Sequence, residues 1–166
     1  MINQPRSIKG MSLLVDGRGY VGKVREFVRP RIVPIKEDDK AGFMGSRPVY
    51  LDFEPMELSY ILSEHNTDTM RLMGFFDDYV PLIFRAANTV GSVTEAIEVF
   101  ARGQIRDVDP GAFKVGELSS VNVIMDVVYY RYQANGEVIE EADIDNQIFI
   151  RDGRDLTRDI RRAIEL

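Results

Sequence analysis

The sequence predicts a mainly β (α+β) fold: a single antiparallel β-barrel- or sandwich-like domain over residues 1–166, with one short internal helix and a short C-terminal helix. Three observations carry this. In Val121 to Tyr132, the longest patterned stretch, Val121, Val123, Met125, Val127 and Tyr129 form an apolar face. Asn122, Ile124, Asp126, Val128 and Tyr130 form a mixed one. Asp16-Gly17 and Asn135-Gly136 both stand between apolar runs, the strongest short-range signal for a hairpin. Helical periodicity is confined to two short segments. With 166 residues, 45% hydrophobic and 29% charged, the chain has room for one core and not comfortably for two.

Taken in order, Ser12 to Val15 and Tyr20 to Val24 read as a hairpin around Asp16-Gly17. Arg25 to Ile35 holds Pro30 and Pro34, which block a helix and favour extended backbone. Glu37 to Pro48, with Gly42 and Gly45, reads as a long exposed loop or hairpin, and long loops inside compact domains usually carry function. Val49 to Ile61 is a strand candidate. Thr67 to Phe76 reads as a helix started by Asn66 or Thr67 and ended near Gly74. Strands follow at Pro81 to Ala87, Glu95 to Arg102 and Val121 to Tyr132, which Asn135-Gly136 joins to Val138 and Ile139, and another at Gln147 to Arg151. Leu156, Ile160, Ala163 and Ile164 recur at helical spacing, supported by Asp159 with Arg162 and Arg161 with Glu165. There is no internal repeat and no low-complexity tract.

Composition narrows the function. The chain has no cysteine, which excludes a disulfide framework, a thiolate metal site and a cysteine nucleophile, and fits a reducing compartment. No stretch approaches the roughly 20 apolar residues that span a bilayer, and Met1 to Lys9 lacks a secretory apolar segment. A soluble protein without stable membrane association is expected. The net charge of −6 disfavours broad binding to phosphates. It is unevenly spread: Met1 to Lys36 carries eight basic residues against two acidic, Glu37 to Leu166 thirteen against twenty-five. Opposite charge on two parts of one subunit can draw copies together.

The patterns that suggest chemistry are weak. Gly17-Arg18-Gly19-Tyr20-Val21-Gly22 spells a dinucleotide fingerprint with Glu37 to Asp39 near the acidic spacing, but no helix signal follows to face a pyrophosphate. His65 is the lone histidine, in a polar stretch before a helix, where a capping or surface role is expected. Asp143 and Asp145 resemble the opening of a calcium loop, yet Ile148 and Arg154 occupy the glycine and glutamate positions. Asp107, Asp109 and Glu117 surround a Pro110-Gly111 turn and read as solvated. Phe75-Phe76 and Tyr129-Tyr130 lack the Lys and Arg run of a single-strand binder. No catalytic residue, cofactor or metal is expected.

Several stretches, in order and at spacing, resemble the tail-tube (major tail tube protein) family of contractile-tailed phages and the tubes of R-type bacteriocins. They are Leu13 to Gly17 with Tyr20-Val21-Gly22 and Pro30; Ala41 to Val49; Arg102-Gly103 with Asp107 to Gly111 and Lys114 to Glu117; then Tyr129-Tyr130, Asn135-Gly136 and a Gly153 turn before the terminal helix. Met1 to Lys9, an N-terminal arm, departs most from the family. The resemblance implies a structural subunit and not an enzyme: a β-barrel-like unit forming hexameric rings that stack into a hollow tube inside a sheath, a conduit for DNA into the host. It implies as partners further copies, the tail sheath protein, baseplate and tail terminator proteins, the tape measure protein and DNA in transient, non-specific passage. It places the chain in the virion, after assembly in the host cytoplasm. Candidates for contact between subunits are Glu37, Asp38, Asp39, Lys40, Gly42, Phe43, Met44, Gly45 and Arg47 in the loop over 37–48. Asp16 and Gly17 in the first hairpin and Leu156 and Ile160 in the helix over 154–166 complete the set. An acidic lumen would let DNA slide, and Asp126 is its candidate. The alternatives are the tube of an R-type bacteriocin or a type VI-like secretion apparatus, or an unrelated β-barrel binding module or enzyme.

Overall fold

A computed structural model describes residues 4–42, 44–72 and 79–166. Its strands are β1 (Ser7–Val15), β2 (Arg18–Gly19), β3 (Val24–Val28), β4 (Pro34–Asp39), β5 (Arg47–Phe53) and β6 (Met56–Leu62). After helix α1 (Thr67–Arg71) come β7 (Val80–Val90), β8 (Val93–Asp109), β9 (Val121–Ala134), β10 (Glu137–Asp143), β11 (Ile148–Arg151) and β12 (Arg154–Asp155), and then helix α2 (Arg158–Ala163). All pairings are antiparallel. One ten-stranded sheet runs β12-β11-β10-β9-β8-β7-β1-β2, with β6 and β3 branching from β9.

The branch arises because β9 is longer than β6 or β10, the two strands that share one of its edges. β8 follows one edge of β9, from Asn122 to Ala134. On the other edge β6 covers Val121 to Val127 and β10 covers Tyr129 to Ala134. Only Val128 stands between them, and its carbonyl accepts the Ile144 N–H at 2.9 Å. From this fork β6 and β3 fold back over β7, so that the Phe27 ring stacks on Phe84 with centroids 3.9 Å apart. No ladder joins β3 to β1 among the described residues, so the sheet stays open and the domain is sandwich-like. Leu13, Val15, Leu58, Leu62, Leu82, Val99, Ile105, Val121, Val123 and Met125 fill the interior. Tyr60 is buried with them, and burial beside Tyr20 pushes its phenol well above the ordinary range.

Several expectations are corrected. Asp16 and Gly17 do form a turn, with φ of 48° and 77°. The return strand is only Arg18–Gly19, however, because Gly22 (φ 74°) turns the chain again and Val24–Val28 pairs with β6. Of the fingerprint glycines, Gly17 and Gly22 therefore serve turns and Gly19 lies in β2, and a strand follows them where a nucleotide site needs a helix. Val49 to Ile61 is two strands, separated at Glu54-Pro55. Tyr129 does not continue the apolar face. The extra residue at Val128 shifts the alternation, so Tyr130 is buried and Tyr129 is not. β8 runs on through Asp109, well beyond Arg102. Asn66 caps α1 by accepting the Asp68 N–H, and the expected end of that helix, with Gly74 and Phe76, lies outside the described residues. The terminal helix begins at Arg158, and Arg161 turns back onto Asp155, away from Glu165. The N-terminal arm is strand from Ser7 onward.

Candidate assembly surfaces

The segment that the sequence presents as a long exposed loop or hairpin is a β-hairpin. β4 and β5 pair from Pro34 with Phe53 to Asp39 with Arg47 and form a sheet of their own. At the tip the Asp39 carboxylate accepts the Ala41 N–H at 3.0 Å, and Gly42 and Gly45 take φ of 74° and 135°, a region where L-residues are strained. Ile35, Met44, Val49, Tyr50 and Leu51 are exposed on this arm, apolar surface that a lone domain normally covers. The root is firmer. Phe53 stacks on Phe149 at 4.4 Å, the Glu54 N–H donates to the Val33 carbonyl at 2.8 Å, and Pro30 is buried.

A polar network missed at the level of sequence fixes that root. Arg29 donates to the Tyr130 hydroxyl at 2.9 Å and to Glu140 at 3.4 Å, and its guanidinium lies 4.7 Å from the Tyr132 ring centre. Arg151 donates to the same carboxylate at 2.6 Å. Burial outweighs the nearby guanidinium and pushes the Tyr130 phenol up to about 12. Arg29 and Tyr130 are 101 positions apart, and no local pattern announces such a pair.

α2 is held by polar bonds while its apolar side faces out. The Thr157 hydroxyl donates to the Gln147 carbonyl at 2.6 Å and accepts the Phe149 N–H at 3.1 Å. Arg161 reaches Asp155, the Gln147 carbonyl and Thr157 at 3.2, 3.1 and 2.9 Å. This hydrogen bond from Arg161 is the main cause holding the Asp155 carboxyl below its ordinary value. Leu156, Ile160 and Ile164 are 58%, 55% and 52% exposed.

Between the hairpin root, the fork and α2 lies a groove of about 830 Å³, whose lining includes Leu51, Pro55, Val128, Ile144, Phe149 and Ile160. Asp52, Glu54 and Asp126 also line it, and no Lys or Arg does among the described residues. Asp126 is not an isolated carboxylate: Arg106 bonds to it at 2.8 Å and also to Glu57. Arg106 is placed outside the regular ladder by a bulge between Ile105 and Asp107.

The sequence-derived candidates thus fall on separate surfaces. Glu37, Asp38, Lys40, Gly42, Met44, Gly45 and Arg47 are exposed on the hairpin, with Asp39 partly covered and Phe43 outside the described residues. Ile160 lines the groove together with the hairpin root, and Leu156 lines a separate, smaller pocket with Pro34 and Phe53. Asp16 and Gly17 are exposed at the β1–β2 turn, where the Asp16 N–H donates to Pro81. His65 is exposed, its N–H on Ser119 and its ring edge-on to Phe113 at 5.1 Å. Asp143 accepts from the Asn146 backbone and side chain at 3.1 and 2.7 Å, a local turn. Among the described residues no helix is long and apolar enough to cross a membrane.

Similarity to known sequences extends over nearly the whole chain. It is 29% identical over 178 residues to the tail tube protein of Escherichia phage P2, covering 98% of each chain. It is 26% identical over 158 residues to the major tail tube protein of Serratia phage KSP20, covering 93% of this chain and 92% of that one. The fold is similar to a chain of the sheath-tube complex of an extracellular contractile injection system, PVC, in its extended state. There the TM-score is 0.60 at 8% identity, over 80% of this chain and 94% of that one. It is equally similar, with a TM-score of 0.60 at 7% identity, to a chain of the sheath/tube terminator of that system, over 80% and 99%. The family model described as phage tail tube protein FII matches residues 5–164, and the chain belongs to that family.

Proposed function

We propose that this tail tube protein is a structural subunit, not an enzyme, of the inner tube of a contractile tail, that it forms hexameric rings, and that the rings stack into a hollow conduit for DNA. The observation that carries this reading is the β4–β5 hairpin: a two-stranded arm standing off the main sheet with Ile35, Val49, Tyr50 and Leu51 exposed. An isolated two-stranded hairpin is marginal in water, and apolar side chains on it need a surface to cover them. A neighbouring subunit supplies one. The outward apolar side of α2 and the turn at Asp16 and Gly17 offer further contacts between copies.

In this reading the partners are further copies, a sheath outside the tube, a terminator above it, a baseplate below and a tape measure protein within. The chain resides in the virion after assembly in the host cytoplasm. Membership of the family and the likeness to chains from sheath-tube and tube-terminator assemblies support it. Asp126 and Glu57 share Arg106, which makes that cluster net acidic and suits a wall past which phosphates slide. The same subunit would serve a bacteriocin or a secretion tube. The test is negative-stain electron microscopy of the purified chain across a concentration series, with light scattering. Rings or tubes with a central channel are expected, and a monomer at every concentration, even with added baseplate, overturns the reading.

A further inference from the structure

The groove beside the fork in β9 has an apolar floor and an acidic rim. Leu51, Ile144 and Ile160 in it are 60%, 44% and 55% exposed, open enough to receive another side chain. Asp52 and Glu54 give it negative charge that no Lys or Arg among the described lining residues offsets, whereas Asp126 is paired with Arg106. A complementary surface occurs on the same chain. Arg6, Ile8 and Lys9 are exposed at the start of β1, and Ile8 is apolar surface between two cations. On one side this segment pairs with β7; on the other, β2 reaches only Leu14 and Val15, which leaves the edge from Ser7 to Leu13 without a strand among the described residues. A bulge at Lys9 breaks the alternation, a device that re-aims side chains at sheet edges.

Topology keeps the two surfaces apart within one chain. β7 and β8 lie between β1 and β9, so the basic segment is at one side of the sheet and the groove at the other. Two different, complementary patches on one subunit make a head-to-tail contact, which closes into a ring or continues as a filament. We infer that the groove receives the Arg6–Lys9 segment of a second copy of this chain, with Ile8 on the apolar floor and Arg6 and Lys9 against Asp52 and Glu54. The inference rests on the tube reading and names the partner of the surface beside the hairpin root. Arg6 holds an exposed pair with its own Glu95 at 2.8 Å, a contact weak enough to exchange. The unequal charge of the two parts of the sequence then acts between subunits, steering them together and making assembly sensitive to salt.

The absence of cysteine gives a clean background. A disulfide forms only where Cα atoms come within about 7 Å, so the double variant Ile8→Cys with Leu51→Cys reports this contact. Wild-type particles are imaged first, and particles without rings or tubes overturn the tube reading and the inference together. In particles that show rings, mild oxidation of the double variant is expected to give a ladder of covalent oligomers on a non-reducing gel. No ladder overturns the docking inference alone. A ladder of equal strength from Val115→Cys with Leu51→Cys also overturns it, assigning the groove to the loop over 110–120 of a second copy. A charge test is independent of cross-linking. Reversing Arg6 and Lys9 to Glu is expected to lower the assembled fraction by about tenfold, and adding Asp52→Lys and Glu54→Lys to recover it. Unchanged assembly after the first reversal, or no recovery after the second, counts against the contact.

Discussion

Gly103 in β8 lies directly beneath the backbone of Asp126 in β9: a Cβ on Gly103 would stand 2.0 Å from the Asp126 carbonyl oxygen. The close approach coincides with the extra residue at Val128, where Arg102 faces Tyr129 and Gly103 already faces Val127. The main chains are drawn together where the ladder skips a residue, and only glycine leaves room.

Gly103→Ala is therefore expected to destabilise the subunit by about 2–4 kcal/mol, since backbone and not a flexible side chain must move. Urea unfolding of the variant under conditions that keep both proteins monomeric measures it. A change below about 0.5 kcal/mol, the range of surface substitutions, refutes the assigned packing.

Gly42 and Gly45 make the opposite case. Among the described residues nothing lies within 4 Å of a Cβ at either, so their cost is conformational: φ of 74° and 135° strains any β-branched residue. The double change to Val is expected to re-form the hairpin tip while the main sheet keeps its unfolding midpoint. Assembly into rings or tubes, scored by electron microscopy, is expected to fall sharply. Normal tubes would show that the tip takes no part in assembly.

Thr157 and Ile160 separate folding from assembly on neighbouring turns. Thr157→Val strands the buried Phe149 N–H and removes one of the two donors to the Gln147 carbonyl, and is expected to cost about 1–3 kcal/mol. Ile160→Asp and Ile164→Asp touch exposed positions and are expected to leave stability within about 0.5 kcal/mol while reducing tube yield. Paired denaturation and sedimentation measurements distinguish the outcomes. A strongly destabilised Ile160→Asp monomer would place that side chain in the subunit core.

The tether of α2 is expected to fail in acid before the sheet does. The folded-state pKa of Asp155 is depressed below its ordinary value of 3.8, chiefly by the hydrogen bond from Arg161. Its contribution is complete above the ordinary carboxylate range and lost as pH falls below 3.8 through the folded value. Amide exchange in Arg158 to Ala163 should accelerate across that window while β7 to β9 stay protected, and Asp155→Asn should remove the step. Exchange that is flat with pH in this helix would disprove the tether.

Much of the fold was legible because local chemistry and tertiary structure agree. The turns at Asp16-Gly17 and Asn135-Gly136, the alternation of Val121 to Val127 and the cap at Asn66 all form as the residues dictate. What escaped depends on partners far away in sequence. The face change at Tyr129 and Tyr130 follows from a bulge that exists only once β6 and β10 divide one edge of β9. The end of β8 was hidden because Gly103, Arg106 and Asp107 look like a loop, although the glycine is a close-approach position and Arg106 a bulge. The exposed hairpin and α2 candidates were readable as surface, but the Arg29, Tyr130 and Glu140 anchor was not.

The fork also has a mechanical meaning. β6 and β10 approach each other end to end along one rail, with only the width of Val128 to spare. Sliding either strand by one residue toward the other would collide with its neighbour, and any slip would turn its core side chains outward. Each strand is the other's end-stop, so a pull on the hairpin root bears against a seated stop before it disturbs the register of the core.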